Sequence, residues 1–339
     1  MKAKFPATFF LLSLSLLAFT PGALAKASGS KAPGWGYQGV EFSGSSQVSR
    51  LELERGLGLK QGASPEAADK AIERLKASLE QKHIKTSLDL AEEGNGYFIV
   101  VDVIDPTLVG VPSRHLKFPH HINLSSEKPF SVFAELLERR RQLSEQGRPV
   151  TEKYDNGLKY FSDEPCNQFA AQLHKQVPSM LFEFLSVIES DPDPRRRSQA
   201  IEVLNWVEEP VRICFTLIPA INDADEQVRA SASRYIYPRI SLLPENFPLS
   251  DLTEAFSNQM TRQTHQDRLL ALRCLLELSR RHPQTIWSIK TFDEERLKQL
   301  KSTSVLSAIQ EPATELIKLC QNPPPLKQKP KPISDEPNF

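Results

Sequence analysis

The chain has 339 residues, 40% of them hydrophobic, enough to bury more than one core, and its length points to about two domains. Its 42 basic residues balance its 42 acidic ones, so the formal net charge is zero. No global field therefore argues for nucleic acid or an anionic membrane as partner, since both usually demand a basic excess.

Residues 1–25 read as an export signal. Lys2 and Lys4 give a positive start, and Phe9 to Phe19 form an apolar run too short to span a bilayer. Ala23-Leu24-Ala25 then supplies the small residues that a signal peptidase reads, so cleavage is expected near Ala25. The mature chain is expected to be periplasmic or secreted, with no transmembrane segment, because no later stretch is long and apolar enough. Residues 26–34 read as a flexible leader.

From 35 to 105 the pattern is that of a small α+β module. Tyr37 to Phe42 looks like a strand, and Val48 to Arg55 a short helix that stops at Gly56. Ser64 is a helix cap with Pro65 behind it, and Ala68, Ile72, Leu75 and Leu79 recur at helical spacing. Ile84, Thr86, Leu88 and Leu90 alternate with polar residues, as in a half-buried strand. Glu93-Gly94-Asn95-Gly96 reads as a hairpin turn into a returning strand, Tyr97 to Ile104. The order is strand, helix, helix, strand, strand. With Val40-Glu41-Phe42-Ser43-Gly44 and Leu57-Gly58-Leu59-Lys60-Gln61-Gly62, it resembles a single POTRA module, the periplasmic domain found before outer-membrane barrels. Two features depart from that family. Glu80-Gln81-Lys82-His83 replaces its usual tyrosine- and glycine-rich link, and no barrel-like run of strands follows.

Residues 106–165 read as a linker, rich in Pro, His and Ser up to Pro129. One helix is expected from Phe130 to Gln146, and Gly147 to Pro165 is expected to be irregular.

The stretch 166–321 is helical throughout. One apolar stripe runs from Phe169 to Ile188, with a bend expected at Pro178. Three segments then repeat one spacing: Arg197–Ala200–Leu204, Arg229–Ala232–Ile236 and Arg268–Ala271–Leu275. Asp191-x-Asp193 and Asp223-x-Asp225 precede the first two. Helix pairs are expected at about 210–221 with 225–237, 252–260 with 266–281, and 293–300 with 305–320. This recurrence resembles HEAT repeats, and that resemblance implies an α-solenoid of stacked helix pairs with degenerate end repeats. In physical terms the alanines let helices approach, the aspartates accept at helix starts, and the arginines bridge to adjacent turns. Residues 322–339 form a Pro/Lys tail expected to be disordered.

Chemistry is sparse. Cys166, Cys214, Cys274 and Cys320 allow three full disulfide pairings, and buried free thiols are an equal alternative. Neither their spacing nor that of His115, His120 and His121 fits a metal site. No nucleophile elbow, zincin motif or phosphate loop occurs, so no catalytic, cofactor or metal residue is assigned. Arg139, Arg140, Arg141, Arg195 and Arg196 are the candidate protein-binding residues. The expectation is an exported interaction scaffold or assembly factor of the bacterial cell envelope. It would bind protein partners by strand addition at the first module and by the concave face of the repeats. The alternative is a hydrolase or lyase whose site gathers the middle histidines with an acid such as Asp155. A third reading is a purely structural homo-oligomer.

Overall fold

A computed structural model of the chain describes residues 35–44, 47–105, 113–116, 118–323 and 325. The expected export signal, leader and most of the tail lie outside them. The first part follows the expected order: β1 (Gly36–Gly44), α1 (Arg50–Leu57), α2 (Pro65–Gln81), β2 (Lys85–Glu93) and β3 (Gly96–Ile104). Local chemistry sets these boundaries. The Ser49 hydroxyl accepts from the Glu52 amide while the Glu52 carboxylate accepts from the Ser49 amide, a capping box that starts α1 two residues later than expected. Gly58, with φ 61°, ends it in the left-handed conformation.

The strand order is β1-β3-β2, with β1 parallel and β2 antiparallel to β3. Parallel pairing follows from the crossover through α1 and α2, and antiparallel pairing from the two-residue turn at Gly94-Asn95. One face of the sheet, with Val40, Ile99, Val101 and Val103, closes over Leu53, Leu57, Ala68, Leu75 and Leu79.

The remaining elements are α3 (Lys128–Glu145), β4 (Glu152–Asp155), β5 (Leu158–Phe161), α4 (Glu164–Gln176), α5 (Leu181–Ser190) and α6 (Pro194–Val203). They continue with α7 (Pro210–Leu217), α8 (Glu226–Ile236), α9 (Leu249–Met260), α10 (His265–Arg281), α11 (Ile286–Thr303) and α12 (Ser307–Gln321). The coarse layout, a small sheet region followed by a mostly helical one, is therefore the expected one. Proline decides several breaks. The stripe from Phe169 to Ile188 is two helices rather than one bent helix, because Pro178 opens a 3-10 turn at Pro178–Met180. A 3-10 segment opened by Pro219 likewise follows α7, and one with Pro238 at its second residue follows α8.

Residues 147–165 are not irregular. They hold the β4–β5 hairpin, turned by Asn156 (φ 48°) and Gly157 (φ 83°). Asn-Gly between short alternating runs is a strong hairpin signal that the sequence reading passed over. The hairpin is fastened to the 3-10 segments that follow α6 and α8. Trp206 Nε1 donates to the Lys159 carbonyl (3.1 Å), and Arg239 Nη2 donates to the Gly157 carbonyl. Lys159 is itself buried beside Glu152 (3.3 Å). Burial works against both charges, but the neighbouring ionisable groups together outweigh it. Lys159 and Arg140 surround the carboxylate, and Glu152, Tyr154 and Glu202 the lysine, so the lysine pKa is raised and the carboxyl's lowered.

One core runs from Phe130 to Cys320 and includes α3, so the expected linker contributes to it. Within it α5 packs on α6, α9 on α10 and α11 on α12, while α6, α8, α10 and α12 lie side by side in chain order. Among the described residues no helix is long and apolar enough to cross a membrane.

Candidate interaction surfaces

The repeat positions form a buried ladder. Arg197 Nε and Nη2 donate to Asp223 Oδ2 (3.2 Å) and Oδ1 (2.7 Å), and its Nη1 donates to the Asp191 carbonyl (2.9 Å). One step on, Arg229 Nε and Nη2 donate to Asp267 Oδ1 (2.9 Å) and Oδ2 (2.6 Å), and its Nη1 to the Asp223 carbonyl (2.9 Å). Each guanidinium thus closes its own turn and grips the next unit through a two-pronged carboxylate pair. The repeat spacing marks the arginines and the first two acids but not Asp267. That acid stands inside α10, three residues after the Thr264 cap, where no acidic turn announces it. The third arginine leaves the ladder: Arg268 Nε donates to the Arg262 carbonyl (2.9 Å) and its charge faces Asp102 and Glu41. Ala200, Ala232 and Ala271 are fully buried, as close helix packing requires.

A strap, residues 113–116 and 118–125, crosses the turns of the first two pairs. The Arg114 amide donates to the Asn222 carbonyl (2.6 Å), and Arg114 Nη2 to the Ile188 and Glu189 carbonyls near the end of α5 (3.1 and 3.0 Å). The His120 amide reaches the Ser190 carbonyl (3.0 Å), and Ser125 Oγ donates to Glu183 (2.7 Å).

The sheet module sits on the corresponding ends of the last two pairs. Asp102 accepts from the amide of His265, the first residue of α10 (3.0 Å). Glu93 accepts from the amide of Ser307, the first residue of α12 (2.8 Å), and Glu41 from the Val305 amide (2.8 Å). Arg50 Nη2 donates to the carbonyl of Thr303, the last residue of α11 (2.9 Å). Carboxyl acceptors at helix starts and a cation at a helix end complement the helix dipoles. Leu306 gives α12 no side-chain cap, so Glu93 of the module supplies one.

The candidate binding arginines are mostly engaged within the chain. Arg139 lies 3.5 Å from Asp163, Arg140 2.8 Å from Glu152, and Arg141 between Glu138 and Glu145. Arg196 is drawn into the strap, where it meets Asp191 (3.1 Å), Glu127 (3.0 Å) and the Ile122 carbonyl (3.0 Å). Arg195 is exposed, and its guanidinium has no hydrogen bond or ion pair among the described residues.

The histidines are not brought together with Asp155. His120 and His121 are exposed on the strap, with His121 Nδ1 3.3 Å from Asp191. Asp155 is exposed at the end of β4, on a hairpin that packs against α4 and the segment after α6. Among the described residues no group of three or more His, Cys, Asp or Glu is placed to hold a metal ion. All four cysteines are buried free thiols. Burial pushes their pKa values up, to about 11 for Cys166 and Cys320 and about 12 for Cys214.

Two surfaces remain open to partners. The outer edge of β2 pairs with no strand among the described residues, and Ile72, Ile84, Leu88 and Leu90 line the seam beside it, only partly buried. The second is an aromatic strip that the sequence reading did not single out. Phe182 and Phe215 are exposed on α5 and α7, Arg212 lies over the Phe182 ring (4.7 Å), and Phe215 meets Phe247 edge-on (6.5 Å). No family model, no curated protein and no solved structure matches the chain.

Proposed function

We propose that the chain is an exported protein-interaction scaffold or assembly factor of the bacterial cell envelope. Its N-terminal part acts as a POTRA-like module and its helices as a HEAT-like solenoid. The observation that carries this reading is the open β2 edge with its partly exposed apolar seam. An extended segment of a partner can extend the sheet there through main-chain hydrogen bonds while its alternate side chains fill the seam. The Asp–Arg ladder and the side-by-side packing of α6, α8, α10 and α12 support the solenoid reading. They give the helices a rigid face, on which Arg195 is free to meet an acidic partner.

The test is site-specific photocrosslinking in envelopes. A crosslinker at the exposed β2 positions Ser87 or Asp89 is expected to capture a barrel protein or another envelope component. The same crosslinker at Lys76, exposed on α2, is expected to capture neither. Equal capture from all three positions, or soluble partners only, would count against the proposal.

A further inference from the structure

The face of the sheet turned away from α1 and α2 meets the helices through a chain of three polar groups. Ser43 Oγ of β1 lies within hydrogen-bond distance of two acceptors, Asp102 Oδ1 of β3 and, at 2.9 Å, the Gln263 carbonyl of the helical region. A hydroxyl carries one proton and can satisfy only one of them. When Asp102 is ionised, one of the two contacts therefore lacks a proton. When Asp102 is protonated on Oδ1, that O–H donates to Ser43 Oγ, the Ser43 O–H donates to Gln263, and Oδ1 keeps a lone pair for the His265 amide, so all three contacts are made. We propose that the sheet module is latched to the helical region by a proton held on Asp102, and that losing this proton loosens the seam.

The surroundings of Asp102 favour the protonated form. Its side chain is 5% exposed, and Glu41 from β1 and Glu226 from α8 add negative charge to the same junction. Arg268 of α10 is the cation nearest in effect, but its Nε is committed to the Arg262 carbonyl. His265 of α10 does not offset the charge, because burial pushes its pKa down to about 4 and keeps it neutral. The Ser43 hydroxyl and the His265 amide stabilise the carboxylate, yet burial outweighs them and lifts the Asp102 pKa to about 7. An acid whose pKa is raised in the docked state binds its proton more tightly there. The Asp102 contribution to docking is thus present at acid pH and is lost as the pH climbs to about 7. The lowered His265 pKa works the other way below about pH 6.5, so the net loosening falls close to pH 7.

Hydrogen exchange on the full chain, corrected for intrinsic rates, reads the latch at the His265 amide. Its protection is expected to fall about threefold between pH 5 and pH 8, while amides in α5 and α6 keep theirs. Asp102→Asn removes the titrating carboxyl, and because Ser43 and His265 both meet Oδ1 the amide can serve only one of them. The variant is expected to lose the fall in His265 protection between pH 5 and pH 8. A pH-independent His265 amide in the unaltered chain, persistence of the pH dependence in Asp102→Asn, or a parallel loss in α5 and α6 would each overturn the proposal.

Discussion

Replacing Arg229 by alanine tests whether the ladder holds the helix pairs together. Arg229 is 5% exposed and Asp267 1%, and the pair is made twice, at 2.9 and 2.6 Å. Truncation leaves Asp267 as a buried carboxylate served only by Thr264 Oγ1 (2.7 Å) and Gln259 Nε2 (3.1 Å). It also strips the donor from the carbonyls of Asp223 and Ala224. Breaking a buried pair from one side costs ~3–5 kcal/mol, a large part of the ~5–15 kcal/mol that keeps a domain folded. The exposed pair Arg212–Glu209, at 3.0 Å with both side chains 47% exposed, is the control, and Arg212→Ala is expected to cost ~0–1 kcal/mol. Urea unfolding followed by far-UV circular dichroism measures both. The double variant Arg229→Met, Asp267→Leu removes both charges together and is expected to recover most of the loss. A cost for Arg229→Ala under ~1 kcal/mol, or a double variant as destabilised as Arg229→Ala, would refute the reasoning.

Ala232→Leu forces extra methylenes into the fully buried contact of α8 and is expected to cost ~1–3 kcal/mol by the same unfolding assay. Gly44 has φ 107°, and a Cβ there would lie 1.9 Å from the Val103 carbonyl oxygen. Gly44→Ala is therefore expected to destabilise the sheet module by ~2 kcal/mol or more, read as lost exchange protection in β3 with α5–α8 unaffected. The four cysteines, buried and held as thiols, are expected to resist a thiol reagent in the native protein and to react fully in denaturant. Rapid native labelling of two or more would contradict their placement.

Much of the local structure was legible because its causes are local. Ser64-Pro65 starts α2 and Asp225 starts α8, since a cap needs only a side-chain acceptor two or three residues from the amide it serves. Where the reading failed, it misjudged a local rule or met an absence of local signal. Pro178 breaks the helix where a bend is expected, and Asn156-Gly157 turns a hairpin where irregular chain is expected. The basic run Arg139–Arg141 looked like a free surface. Sequence does not say that Glu152 and Asp163 fold back to meet it.

By itself the sequence determined the element order, the caps, the apolar faces and the presence of a repeated Arg–Ala spacing. Each of these follows from the periods of helix and strand or from contacts within one turn. Only the tertiary structure decided which acid each arginine meets, that the middle segment straps the turns, and that three module carboxylates serve the helical region. Those contacts join residues 26, 38, 163 and 264 apart in the chain. At such separations a contact depends on how whole helices and sheets are placed by shape and burial, which no local pattern of residues encodes.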